Sequence, residues 1–250
     1  MKQSKIYLES LGCPKNLVDS EIMLGSLLTQ GFLLTNKPAE AEVIVVNTCG
    51  FLESSSQESI NRLVQLGEQK KTGSCQKLVM AGCLVQRYGG KLSPELPEID
   101  LFIGTNDYDK LGALLLKDLP QKEYIHEPLY LPTAQMPRFL TDSVSTYLKI
   151  AEGCNHTCSF CIIPTLRGKQ RSRPIADLRQ ETEALLQRGV REISLIAQDT
   201  TDYGTDLHNG TTLEKLLRSL GEIEGDHWFR LMYAYPLRFS DELVQIFKET

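Results

Sequence analysis

Three thiols fall within one short run, Cys154-Asn-His-Thr-Cys158-Ser-Phe-Cys161, directly after Thr146–Ile150, which reads as a β-strand. Three thiolates on one loop can each bind one iron of a four-iron cluster and leave the last iron open. Such clusters are normally held by four cysteines, so the open iron invites a small chelating molecule. The amine and carboxylate of S-adenosylmethionine (SAM) fit that vacancy. An electron passed to the sulfonium would cleave it and start radical chemistry that no side chain supplies unaided. The alternative is zinc with His156 as fourth ligand. A Cys-x-His-x-Cys arrangement is too cramped for structural zinc spacings, and no second ligand pair follows.

A second set is dispersed. Cys13, Cys49 and Cys83 each close an apolar run, IYLESLGC, VIVVNTC and KLVMAGC, at intervals of 36 and 34 residues. If those runs are parallel strands, all three thiols emerge at one carboxyl-end edge of a sheet, where βα folds gather functional residues. A second cluster on three cysteines is the functional reading, and buried cysteines acting as small hydrophobes are the alternative. Cys75, in KKTGSCQK, precedes a strand and is expected at the opposite edge, away from any cluster. The cysteine total is seven, an odd number in a chain with no signal peptide, which argues for metal use over disulfides.

The elements that must position these thiols alternate. Lys5–Leu8, Glu42–Asn47, Lys77–Ala81 and Asp100–Gly104 read as strands, and Asn16–Gln30, Ser54–Gln69, Gln86–Lys91 and Asp107–Lys117 as helices, with Ser54 able to cap the second. This predicts a parallel α/β domain over residues 1–120 with helices on both faces. Residues 121–143, with Pro128, Pro132 and Pro137, read as a linker. Over 144–250 the alternation restarts: strands at Thr146–Ile150, Glu192–Ala197 and Trp228–Tyr233, helices at Ile175–Arg188, Thr212–Gly221 and Ser240–Lys248. Three βα units do not close a barrel, so an open partial barrel is expected. The fold class is α/β throughout.

Composition excludes several classes. Apolar residues are 41% and charged residues 24%, which is ordinary for a globular chain. No apolar run approaches a membrane span, and the N-terminus carries no signal peptide, so a cytoplasmic protein is expected. Net charge is −5, which argues against broad capture of nucleic acid and for a local patch if RNA is touched at all.

At these residues the chain resembles the radical-SAM methylthiotransferases, over all 250 residues. The resemblance implies a methylthiotransferase domain whose four-iron cluster is held by Cys13, Cys49 and Cys83. It also implies a radical-SAM core, here its first half, whose cluster is held by Cys154, Cys158 and Cys161. One SAM would supply a methyl group to sulfur at the first cluster, and another would be cleaved at the second to a 5′-deoxyadenosyl radical. Such chemistry opens a C–H bond that acid–base catalysis cannot. The segments SLGCPKNLVDSE, NTCGFLESSSQESI and EGCNHTCSFCIIPTLRGKQRSRP are similar to the RimO-type branch, which adds a methylthio group to the β-carbon of an aspartate in a small-subunit ribosomal protein. The competing branch modifies an adenosine in transfer RNA and more often carries Gln-Met-Asn where this chain has Pro14-Lys15-Asn16. A reducing partner such as a flavodoxin-type electron donor is implied as well. Family members continue through further βα units and a small β-barrel domain, so the chain is expected to be a truncated form or a fragment. The rival class is a non-catalytic iron–sulfur electron carrier.

Other residues bear on the same site. Phe160, inside the triplet loop, could pack near the adenine of SAM or shield the cluster. Gln198 and Asp199 follow a strand and could meet SAM or substrate, or be solvated. No catalytic residue is assigned beyond the cluster ligands. The run from Arg167 to Arg173 holds four arginines and lysines and reads as a solvated face or as a contact with ribosomal RNA or an acidic loop. His126, His208 and His227 have no partner spacing, and Trp228 is expected to pack under the sheet.

Overall fold

The computed structural model describes residues 4–117 and 121–249. Its contacts divide the chain into two units: Met1–Tyr130 with Met136–Phe139 and Thr165–Arg167, and Leu131–Gln135 with Leu140–Pro164 and Gly168–Thr250.

The first unit runs β1 (Lys5–Ser10), α1 (Pro14–Thr29), β2 (Leu33–Leu34), β3 (Val43–Thr48), α2 (Glu53–Gly67), α3 (Gln69–Thr72), β4 (Lys77–Gly82), α4 (Cys83–Tyr88), β5 (Leu101–Ile103), α5 (Leu111–Leu115) and β6 (Glu123–Tyr124). The strands form one six-stranded sheet in the order β2-β1-β3-β4-β5-β6, parallel at every pairing. Every residue of β3 is buried. A parallel strand covered on both faces has no polar side to present, hence the continuous run Val43-Ile44-Val45-Val46. Ile44, Val46, Leu78, Met80 and Phe102 pack against Leu63 and Leu66 of α2 and Leu84 and Val85 of α4. α1 packs on β1 and β3 and against α5. The expected sheet with helices on both faces is therefore present.

Several local expectations give way. β2 and β6 hold two residues each, too few for an alternating pattern to be visible. The stretch 121–143 is not a free linker. It supplies β6, and its Met136–Phe139 belongs to the first unit. There Arg138 pairs with Glu21 at 2.6 Å and the Phe139 amide donates to the Glu21 carbonyl at 3.0 Å. Leu52, not Ser54, stands at the N-cap of α2, so Ser54 lies inside the helix and caps nothing. The expected helix over Asp107–Lys117 is a 3-10 turn, Tyr108–Lys110, followed by the short α5. α4 starts at Cys83 rather than Gln86, so the cysteine opens the helix directly after the strand.

The second unit contains β7 (Ser145–Lys149), β8 (Ala151–Glu152), β9 (Arg171–Ser172), α7 (Ile175–Gln187), β10 (Glu192–Ile196), α8 (Leu213–Gly221), β11 (Trp228–Leu231) and α9 (Asp241–Glu249). A further short helix, α6 (Ile163–Arg167), ends in the three residues whose contacts assign them to the first unit. β11-β10-β7 form a parallel sheet, and β8 and β9 a small antiparallel pair. Leu148, Ile193 and Leu195 pack with Leu178 and Leu185 of α7, Leu216 and Leu220 of α8, and Leu243 and Ile246 of α9. The three strands form an open sheet, as the count of βα units implied. Trp228 does not pack under it. On the edge strand β11 it is 63% exposed, with the Arg230 guanidinium 5.6 Å from its ring centroid. Among the described residues no helix is long and apolar enough to cross a membrane.

Candidate functional site

In the first unit, β1, β3 and β4 are consecutive neighbours in the sheet, with Ser10 opposite Asn47 and Thr48 opposite Gly82. The chain leaves all three in the same direction. Cys13 is the N-cap of α1, Cys49 follows β3, and Cys83 follows β4. All three expected thiols are therefore carried at one carboxyl-end edge, on adjoining turns.

Two glycines let these turns approach. Gly12 has φ +92°, and a Cβ there would fall 2.8 Å from the Cys49 Cβ and 3.1 Å from its Sγ. Gly82 has φ +100°, and its Cβ would fall 2.3 Å from Asn47 Oδ1 and 2.7 Å from the Thr48 carbonyl oxygen. Gly82→Ala is therefore expected to destabilise the first unit by about 2–4 kcal/mol, from the left-handed backbone and overpacking together. Urea unfolding reads this, and an unchanged midpoint would refute it.

Buried polar groups brace the same edge. Asn16, 1% exposed, donates through Nδ2 to the carbonyls of Leu11 at 3.0 Å and Thr48 at 3.1 Å. It thereby ties the turn before Cys13 to the end of β3. Burial raises the Cys83 thiol to about 11, although the Arg167 guanidinium, 3.2 Å from the sulfur, acts in the opposite sense. Cys75 lies elsewhere. It precedes β4, packs with Ala41, Ile44 and Leu78, and its thiol, raised chiefly by burial, donates to the Lys77 carbonyl at 3.5 Å.

In the second unit the triplet loop follows β7 and β8. The Cys154 amide donates to the Gly168 carbonyl at 3.1 Å and the Cys161 amide to the Cys158 carbonyl at 3.0 Å. Cys154 is buried, Cys161 half-buried and Cys158 exposed. Burial raises the Cys154 thiol, and negative charge on Cys161, Asp199 or Cys158 acts in the same sense. His156 Nε2 lies 2.7 Å from Asp199 Oδ2, and Asp199 Oδ1 accepts from the Thr201 amide at 2.9 Å and its hydroxyl at 2.6 Å. The loop is thus fastened to the carboxyl end of β10. Gln198 donates to Glu152 Oε1 at 2.6 Å, and Lys149 reaches Glu152 Oε2 at 2.7 Å with both of that pair buried. Phe160 is 86% exposed.

The charge run resolves into separate parts. Arg167 and Arg173 are 3% and 1% exposed, and both are ion-paired, Arg167 with Asp19 and Arg173 with Asp177 and Glu181. Neither the solvated-face reading nor an RNA contact holds for those two. His126, which sequence spacing left without a partner, lies 2.6 Å from Asp107. The His156–Asp199 link joins residues 43 apart, and no sequence period signals it.

Among the described residues no three His, Cys, Asp or Glu side chains are grouped to hold a single metal ion. A four-iron cluster makes no such demand, because each thiolate binds its own iron. An all-thiol donor set at each of the two loci suits iron–sulfur ligation.

Comparison with known proteins places both units in described families. Residues 5–104 match the family described as Uncharacterized protein family UPF0004, and residues 148–250 match the Radical SAM superfamily. A "Ribosomal protein uS12 methylthiotransferase RimO" from Anaeromyxobacter sp. (strain K) is 49% identical over 242 residues, which are 96% of this chain and 52% of the relative. A protein of the same name from Pelobacter propionicus is 46% identical over 252 residues, 99% of this chain and 56% of the relative. The chain carries a UPF0004 region and a radical SAM region and is similar, over nearly all its length, to methylthiotransferases named RimO. It spans about half the length of the curated relatives it matches. Among solved structures, the radical SAM methyltransferase TsrM from Kitasatospora setae superposes with a TM-score of 0.62 at 13% identity, covering 98% of this chain and 57% of that one. That likeness is one of fold.

Proposed function

We propose that the chain serves methylthio transfer to the β-carbon of an aspartate in ribosomal protein uS12, using two four-iron clusters and two molecules of SAM. The observation that carries this reading is the pairing of two three-cysteine sets, one at the carboxyl-end edge of the first unit's sheet and one on the loop after β8. The names of relatives 49% and 46% identical support the substrate class.

Cys13, Cys49 and Cys83 would hold one cluster, and Cys154, Cys158 and Cys161 the other. When bound, the second supplies the electron for reductive SAM cleavage and the first the site for sulfur. The chain's own residues do the rest. The His156–Asp199 hydrogen bond holds the triplet loop against β10. Glu152, buried and held between Lys149 and Gln198, anchors Gln198 beside that loop, and Gln198 is the residue there for the polar end of SAM. Phe160, projecting from the loop, is free to cover the adenine. A flavodoxin-type reductant and a cytoplasmic setting belong to the same proposal.

Mass spectrometry of ribosomal protein and transfer RNA from a strain lacking the gene tests the substrate. The expected result is loss of the methylthio group from uS12 with methylthio-adenosine unchanged. The reverse pattern would assign the chain to the transfer-RNA branch, and no change in either pool would favour an electron carrier.

A further inference from the structure

We propose that Arg167 is a positioning residue for Cys83, its guanidinium donating an N–H···S hydrogen bond that orients a cluster-ligating sulfur and draws electron density from it. The proposal rests on the reading that Cys13, Cys49 and Cys83 hold a cluster.

Arg167 belongs, with Thr165 and Leu166, to the first unit. Its Nη1 pairs with Asp19 Oδ2 at 2.6 Å, and its Nη2 donates to Asn16 Oδ1 at 2.6 Å and to Cys83 Sγ at 3.2 Å. Arg167 is 3% exposed, Asp19 0% and Asn16 1%. Asp19 provides a buried carboxylate for the guanidinium, as a charge out of water requires. The second arm of the fork reaches past that carboxylate to the sulfur. Asn16 extends its reach, because the carboxamide that accepts from Arg167 also donates to the carbonyls of Leu11 and Thr48. One guanidinium thus touches Cys83 directly and, through Asn16, the turns that carry Cys13 and Cys49. The Tyr108 ring centroid lies 6.0 Å from its Cζ, and the Thr105 hydroxyl donates to the Leu166 carbonyl at 2.7 Å, which fixes the backbone it hangs from.

Hydrogen bonds to cluster sulfurs raise the reduction potential, and partners behind the ligands are part of what a metal site needs to hold its metal. A lysine could answer Asp19, but one ammonium cannot reproduce the planar fork toward Asp19, Asn16 and Cys83 together.

The test uses the whole chain with Cys154, Cys158 and Cys161 all replaced by Ala, reconstituted anaerobically with iron and sulfide. This parent is expected to bind about four irons. A parent that binds none overturns the cluster reading and this proposal with it. Two variants are then compared with the parent: Arg167→Lys, and the double variant Arg167→Met/Asp19→Leu, which removes both charges so that neither is stranded. Circular dichroism checks folding. Redox titration followed by electron paramagnetic resonance should give a more negative midpoint for both, with the larger shift in the double variant. Iron release to a chelator should be several-fold faster. Midpoint and release rate equal to the parent's, in both variants or in whichever one folds, overturn the proposal while leaving the cluster assignment intact.

Discussion

Cys158→Ala is expected to abolish formation of 5′-deoxyadenosine from SAM and to lower bound iron from about eight to about four per chain. Cys158 is the exposed member of the triplet. Its replacement therefore leaves the packing of Leu148, Ile193 and Leu195 untouched. That separates it from Cys154, which is buried and whose loss mixes ligand removal with a packing defect. Anaerobic iron and sulfide counts on folded protein, followed by chromatography of the SAM products, read both effects. Retention of about eight irons with normal SAM cleavage in Cys158→Ala would exclude the triplet as a cluster site.

The cysteine spacing was legible because one proposed ligand set is confined to a single loop and the other obeys a chain period. Cys13, Cys49 and Cys83 recur once per strand–helix unit, and in a parallel sheet that period alone delivers them to one edge. The buried runs of β3 and β4 were legible for a related reason, since strands covered on both faces have no polar positions to confuse the pattern. What the sequence concealed depends on long-range pairing. Arg167 reads as part of a basic run, yet its charge is answered by Asp19, 148 positions away. The same holds for Arg138 with Glu21, inside a stretch whose prolines suggested only a linker. Trp228 misled in the opposite direction. Its apolar bulk argues for burial, but β11 is the edge strand and the indole packs against Arg230. Local pattern reports which face of an element is apolar. It does not report which elements lie at an edge, or which charges meet.

The last expectation separates the two ligand sets by location. Cys49→Ala should lower iron by about four per chain yet leave SAM cleavage intact, because the triplet belongs to the other unit. In a complete enzyme, methylthio transfer should stop. Cys75→Ala should keep the full iron complement and both activities, since that thiol precedes β4 and is packed among Ala41, Ile44 and Leu78. It should cost only stability, on the order of 1 kcal/mol for a small group lost from a core. Cys49 and Cys75 are both cysteines of the same sheet, so thiol chemistry alone predicts no difference between them. The register does, because one lies where the parallel strands end and the other before one begins. Apo-protein melting curves must accompany the counts, as losing a cluster can also unfold the domain that holds it. A Cys75→Ala protein short of four irons beside a fully loaded Cys49→Ala protein would overturn the assignment of the cluster to that edge.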